Sequence, residues 1–238
     1  MLRLQVDVIV SAGPGLAALK QATSTIPVVM GGGEDPVGLG VIKSLAQPGT
    51  NFTGLSNQSV ELTVKRLEML KEIVPGAAPV AVLWDPNSVR YWQVAEAAAR
   101  QRGWKLLSFE VRNVGEIEAA IKAATAARAG ALLPAGGLNY RNARRIAELA
   151  ARNRLPAFFN GAAAGFGDPG LISYSADFNL IWWRAAAFVD KILRGARPAD
   201  LAVEQPTKFN LIINLKLAKA LGLTIPQSML LRADEVIQ

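Results

Sequence analysis

Short apolar runs alternate with helix-length segments along almost the whole chain, and no other feature constrains the fold as much. Asp7–Val10, Ile26–Met30, Asn51–Leu55, Val80–Trp84, Trp104–Phe109, Ala131–Leu133, Pro156–Phe159, Leu171–Tyr174 and Phe209–Asn214 read as strands. Segments 16–22, 37–45, 59–74, 88–102, 115–128, 141–153, 178–194 and 215–221 read as helices, and 228–237 as an extended or irregular tail. In 59–74 the apolar residues Val60, Val64, Leu67, Leu70 and Val74 recur at helical spacing. Pro75-Gly76 stops that helix and Gly103 the next, Asn139 and Asp177 stand where N-caps belong, and Gly195 follows the last long helix. Such alternation implies an α/β fold with parallel sheets flanked by helices. Nine strands would make one sheet wide, so two smaller sheets are expected, with the break near Pro75–Pro79. A weak internal echo, strand–Ala-Gly–helix–Ile/Leu-Pro–strand, occurs around Gly13 and again around Gly136.

With 51% apolar and 19% charged residues among 238, the chain can bury a substantial core. It contains no Cys and no His. That excludes Ser-His-Asp and Cys-His catalysis, Cys/His zinc sites, iron–sulfur clusters and disulfides. What remains is carboxylate, hydroxyl, lysine or backbone chemistry, or binding without chemistry. No metal site and no bound cofactor is expected. The net charge of +7 is spread along the sequence, so no nucleic-acid partner is expected either. No stretch of about 18 uninterrupted apolar residues is present, and residues 1–7 do not read as a signal peptide.

Ligands of open parallel sheets bind beyond the carboxyl ends of the strands. The loops that follow strands are Ser11–Gly15, Gly31–Pro36, Asp85–Asn87, Ala135–Asn139 and Tyr174–Asp177. They are rich in Gly, Pro, Asp, Asn and Ser, which bring a ligand close to backbone N–H groups and a helix N-terminus, and which tight turns need equally. Gly13-Pro14-Gly15-Leu16-Ala17-Ala18 also fits the dinucleotide pattern G-x-G-x-x-A, with Asp35 22 residues beyond Gly13. A nicotinamide-dependent oxidoreductase using the Gly13-x-Gly15-x-x-Ala18 loop is therefore the alternative reading. No carboxylate pair is arranged for acid–base work and no nucleophile has a base partner. Arg141, Arg144, Arg145, Arg152 and Arg154 read as a solvated helix face. Trp182 and Trp183, being adjacent, cannot share a helix face; one is expected in the core and the other along a cleft or lobe contact.

Several stretches together carry a resemblance. They are Asp7-Val8-Ile9-Val10, Ala22–Val29, Asp35-Pro36-Val37-Gly38, Ser44–Ser56 and Lys65–Glu72, with Pro206–Lys216, Ala218–Pro226 and Arg232–Ile237 in the tail. In these the chain resembles the ABC-transporter substrate-binding family of the tryptophan/tyrosine type, over nearly its whole length. The resemblance implies a type I periplasmic binding fold: two Rossmann-like lobes, joined by three crossings, that close on a small ligand by a hinge. It implies lobe one from 1–78 and 176–202, lacking its first elements, and lobe two from 79–175 and 203–238. It further implies a non-catalytic, periplasmic component of an ABC importer, partnered by an inner-membrane ABC permease and binding an amino acid or similar small carboxylate.

Carried over residue by residue, the resemblance places Ser11, Gly13, Pro14 and Gly15 at the ligand carboxylate. Asp35 falls in the second cleft loop, Asn87 in the first cleft loop of lobe two, and Gly137 in the loop after the third strand of that lobe. Tyr140 and Tyr174 are expected to stack on an aromatic ligand, and Asp35 or Asp177 to hold a ligand amino group.

Overall fold

Three parallel strands form the sheet of the first unit: β1 (Ile9–Ser11), β2 (Val28–Gly33) and β3 (Phe52–Ser56), in the order β1-β2-β3. Ile9 lies opposite Val28, and Val28 opposite Phe52. Every residue of β2 is buried, because both sheet faces are covered. Val28 and Met30 pack with Leu16 of α1 (Gly15–Ala22) and with Val41, Ile42 and Phe52. Val29 packs with Leu55 and with Ile181, Ala185 and Phe188 of α7 (Phe178–Leu193). This two-sided burial is why Val28-Val29-Met30 is a continuous apolar run instead of an alternating one.

The computed structural model describes residues 5–13, 15–161 and 170–238. The chain divides into two units, residues 1–59 with 176–209 and residues 60–175 with 210–238, so it passes between them three times.

In the second unit β4 (Val80–Trp84) lies between β5 (Leu106–Glu110) and β6 (Ala131–Pro134), all parallel. A bridge from Leu132 to Ala157 leads on to β7 (Phe158–Phe159), β8 (Ile172–Ala176), β9 (Phe209–Asn214) and β10 (Glu235–Ile237). Helices α2 (Leu62–Ile73), α3 (Val89–Arg102), α4 (Glu116–Ala126), α5 (Gly137–Arg141) and α6 (Ala143–Arg152) follow strands, and α8 (Leu215–Ala220) and α9 (Gln227–Leu230) lie in the tail. Gly103 closes α3 at φ +65°, and Asp177 caps α7 by accepting from Leu180 N–H. Helix α2 groups with the second unit: Leu67, Met69, Leu70 and Ile73 share a core with Val80, Val82 and Ile213.

Four local expectations change. Residues 37–45 form turns instead of a helix: after one turn on the Pro36 and Asp35 carbonyls, Gly40 takes φ +62° and ends it. The helix read over 141–153 stands as α6, but a short helix, α5, precedes it, so Asn139 is not an N-cap but a buried residue inside α5. Its amide donates to the Leu83 and Ala135 carbonyls at 2.9 and 2.6 Å, tying the helix to the ends of β4 and β6. Neither Trp182 nor Trp183 is core, because α7 turns Ile181, Ala185 and Phe188 inward instead. In the tail, read as extended or irregular, β10 is extended but Gln227–Leu230 forms helix α9.

Gly54 in β3 has φ +118°, and a Cβ there would lie 2.5 Å from the backbone N and O of Met30. Gly54→Ala is therefore expected to lower unfolding stability by about 3 kcal/mol or more. Gly76→Ala, at a position with open space, should stay within about 0.5 kcal/mol. Paired urea denaturation curves measure both.

Candidate functional site

Parallel pairing places the carboxyl ends of β1, β2 and β3 on one edge, so Ser11, Gly33 and Ser56 open into the same loops. Ser11 ends β1. Gly13 follows in a left-handed turn at φ +58° with nothing within 4 Å of a would-be Cβ. Gly15 starts α1, where a Cβ would meet Ser11 Oγ at 2.7 Å. The backbone thus reaches the start of α1 beside the Ser11 hydroxyl, and a helix N-terminus with a neighbouring hydroxyl is suited to an anion. Pro14 lies outside the described residues.

Asp35 sits in the loop after β2. Its Oδ1 accepts from Gly38 N–H at 2.9 Å, and a side chain at position 38 would run into the Asp35 carboxylate. The Asp-Pro-Val-Gly stretch is thus explained by a turn that one carboxylate and one glycine make together. After β3, buried Asn57 ties two strand ends: its N–H donates to the Gly33 carbonyl at 2.9 Å and its amide to the Gly32 carbonyl at 3.3 Å. Asn57 Oδ1 accepts from Ser59 N–H at 2.9 Å. Sequence reasoning missed Asn57 and Ser59; the signal was the polar run Ser56–Ser59 directly after an apolar strand. Asp177 Oδ1 caps α7 at 3.1 Å, while Oδ2 lies 3.1 Å from Lys208 Nζ.

The second unit has an edge of the same kind. Buried Asp85 follows β4 and joins two of its loops. Its Oδ1 accepts from Asn87 N–H at 3.1 Å, and its Oδ2 accepts from Ser88 Oγ at 3.0 Å and from Leu138 N–H at 3.2 Å. Gly137 N–H donates to Ser88 Oγ at 3.3 Å. Gly136 has φ +86°, and a Cβ there would collide with the Ser88 side chain. The loops after β4 and β6 are therefore pressed together, with the Asn87 side chain exposed beside them and Gly137 buried. A Cβ on Gly161, beyond β7, would lie 3.4 Å from Ser175 Oγ and 3.6 Å from the Tyr140 ring. Tyr140 thus stands with the ends of β7 and β8. Tyr174 is half-buried in β8, and its carbonyl accepts from Nε of buried Arg66 at 2.8 Å.

The structure therefore gathers Ser11, Gly13, Gly15 and Asp35 at one edge of the first unit, and Asn87, Gly137 and Tyr140 at one edge of the second. Tyr174 belongs to the second unit and Asp177 to the first. Asp85, Ser88 and Arg66 were missed. Only Asp85 carried a local sign, as the acid opening an Asp-Pro-Asn turn after a strand.

The sequence model of the family described as "ABC transporter substrate binding protein" matches residues 2–237. The chain belongs to this family. The "Tyrosine-binding protein" of Clostridioides difficile (strain R20291) is 23% identical to it over 214 residues, covering 88% of this chain and 61% of that protein. The chain thus spans about 61% of the length of that relative. A conserved domain protein from Vibrio cholerae is 29% identical with a TM-score of 0.90, over 99% of this chain and 80% of that one. The ABC domain from Streptococcus pneumoniae, solved in complex with L-Trp, is 26% identical with a TM-score of 0.89, over 99% of this chain and 80% of that one. The fold of this member of the family is the α/β type I periplasmic binding fold, with parallel sheets flanked by helices.

The oxidoreductase reading of Gly13-x-Gly15-x-x-Ala18 is not favoured. The match over residues 2–237 is to a substrate-binding family, and the acid that reading needs, Asp35, spends Oδ1 on its own turn.

Asp85→Ala strips three donors of their acceptor, and leaving buried donors unpaired costs about 1–3 kcal/mol. Gly136→Ala should destabilise comparably, through the same pair of loops. Thermal unfolding of both variants against Asn87→Ala, whose side chain is exposed and should matter little for stability, measures this.

Proposed function

We propose that the protein is the non-catalytic solute-binding component of an ABC importer and that its ligand is an amino acid, with an aromatic side chain favoured. One observation carries this reading: the Streptococcus pneumoniae domain that holds L-Trp matches 99% of this chain at a TM-score of 0.89. The name of the Clostridioides difficile relative supports the same ligand class.

The site residues follow from chemistry. The Ser11, Gly13, Pro14 and Gly15 loop offers backbone N–H groups and the positive end of α1 to the ligand carboxylate. Asp35 offers its carboxylate to the ligand ammonium; Asp177 does so by exchanging the Lys208 ammonium for that of the ligand. Tyr140 and Tyr174 offer ring faces, and Asn87 and Gly137 offer polar contacts from the second unit. Ligand binding favours a closed form by hinge motion, and that form is presented to an inner-membrane ABC permease from the periplasmic side. A ligand need only bind one state better than the other for this to work, so no reacting group is required.

Calorimetric titration and thermal unfolding with L-tryptophan, L-tyrosine, tyramine and indole-3-propionate test the reading. L-Tryptophan or L-tyrosine should raise the unfolding midpoint, with about 2.7 kcal/mol gained at a hundredfold excess over Kd. Tyramine lacks the carboxylate and indole-3-propionate the ammonium, so each should bind at least tenfold more weakly. A cooperative unfolding transition that no amino acid or small carboxylate shifts would overturn the proposal.

A further inference from the structure

The excess positive charge, spread along the sequence, is uneven in the structure. The first unit holds 8 lysines and arginines against 7 acids, the second 18 against 12. Residues 141–154 hold five arginines and one glutamate, and all five arginines are exposed. At about 100° per residue, Arg144, Glu148, Arg152 and Arg145 fall within one arc of α6 about 100° wide. Ile146, Ala147, Leu149 and Ala150 fill the opposite side and are buried. Two of the arginines are paired: Arg144 lies 3.3 Å from Glu148, and Arg145 lies 4.0 Å from Glu118 of α4. The second contact sets α4 beside the row and adds Lys122, 2.9 Å from Glu118. The Glu118 carboxyl is held below its ordinary range, first by Lys122 and further by Arg145 and Arg152. Arg141, Arg152 and Arg154 make no ion pair among the described residues.

We propose that this arginine face of the second unit lies against an anionic phospholipid bilayer. Its shape and composition narrow the partner. The outside of a helix is convex, whereas a small anion is held in a concavity. Arg144 and Arg152 stand about 12 Å apart along the helix axis, too far for one phosphate to bridge, so the row calls for a surface of many phosphates. Among the described residues of 115–154 no large apolar side chain is well exposed. The face therefore lacks the aromatic and aliphatic anchors on which protein partners are held. What it presents is guanidinium groups, whose planar forks match phosphate oxygens two N–H bonds at a time. This rests on the proposed function in one respect: a protein presented to an inner-membrane permease works beside a bilayer. The apolar side of α6 is spent on the core of its own unit, so nothing inserts between the lipid chains and the attraction is electrostatic and salt-sensitive.

Sedimentation of the protein with lipid vesicles, in the absence of any amino acid, tests this. Vesicles of about 30% phosphatidylglycerol in phosphatidylcholine should carry the protein down at about 50 mM salt and release it at about 500 mM, where charges are screened within a few ångströms. Vesicles of phosphatidylcholine alone should leave it in solution. Arg141→Gln with Arg152→Gln should weaken binding at least tenfold, at about fivefold per arginine. Arg194→Gln with Arg197→Gln removes the same charge from exposed positions of the first unit and should change binding less than about twofold. Both double variants should unfold like the parent chain, because all four side chains are exposed. No sedimentation with the anionic vesicles, equal loss in the two double variants, or tighter binding to duplex DNA or to polyglutamate than to the vesicles would each overturn the assignment. Titration with L-tryptophan is read separately, so the bilayer contact and the amino-acid ligand can each fail without the other.

Discussion

Parallel strand pairing is the constraint on which the rest of the molecule depends. Strands that all run one way put their carboxyl ends on one edge, and each connection must return over a face, which buries the sheet on both sides. In the first unit this is visible in β2, buried at every residue and covered by α1 on one face and α7 on the other. The same geometry forces Ser11, Gly33 and Ser56 to open together. The candidate edge is therefore a consequence of strand direction, and what remains for individual residues is to shape its loops.

Carboxylates and amides do that shaping. Asp35 holds Gly38 N–H, Asp177 holds the start of α7, Asp85 holds the two loops beyond β4 and β6, and Asn57 holds the ends of β2. In each case a short polar side chain satisfies backbone groups that a turn would otherwise leave unpaired. The adjoining glycines are required by crowding more than by flexibility: Gly38 abuts Asp35, Gly136 abuts Ser88, and Gly15 abuts Ser11. A loop built this way is stiff, so its free N–H groups point where they point before any ligand arrives, which lowers the ordering cost of binding.

Legibility in the sequence follows from how local each cause is. Strand–helix alternation, the Asp177 cap and the Gly103 stop are set by neighbouring residues, and all three stand in the structure. Residues 37–45 looked helical because their apolar spacing fits, yet Gly40 at φ +62° ends the turn. Asn139 looked like a cap, yet the carbonyls of Leu83 and Ala135, one of them 56 residues away, claim its amide. The paired tryptophans looked half-core because bulk usually goes inward; here Ala185 and Phe188 fill that space and the indoles stay out. At the candidate site the glycine loops and the Asp85–Asn87 turn were legible, whereas the bond from Leu138 N–H to Asp85 and the ties from Asn57 to Gly32 and Gly33 were not, since those partners lie on other strands or their loops.

A chain without His or Cys has no side chain whose ordinary pKa falls between pH 5 and 8, apart from its amino terminus. Catalysis by proton transfer near neutrality is poorly served by such an inventory. Recognition is served well, because backbone N–H groups, helix dipoles and aromatic faces keep the same charge and shape across that range. The fold supplies all three at strand ends, and both carboxylate oxygens of Asp85 are used in holding two of those loops together. The absence of two residue types and the abundance of glycine at the edge therefore fit the proposed reading together, since a ligand held by backbone N–H groups, a helix terminus and aromatic faces needs no titrating group near neutrality.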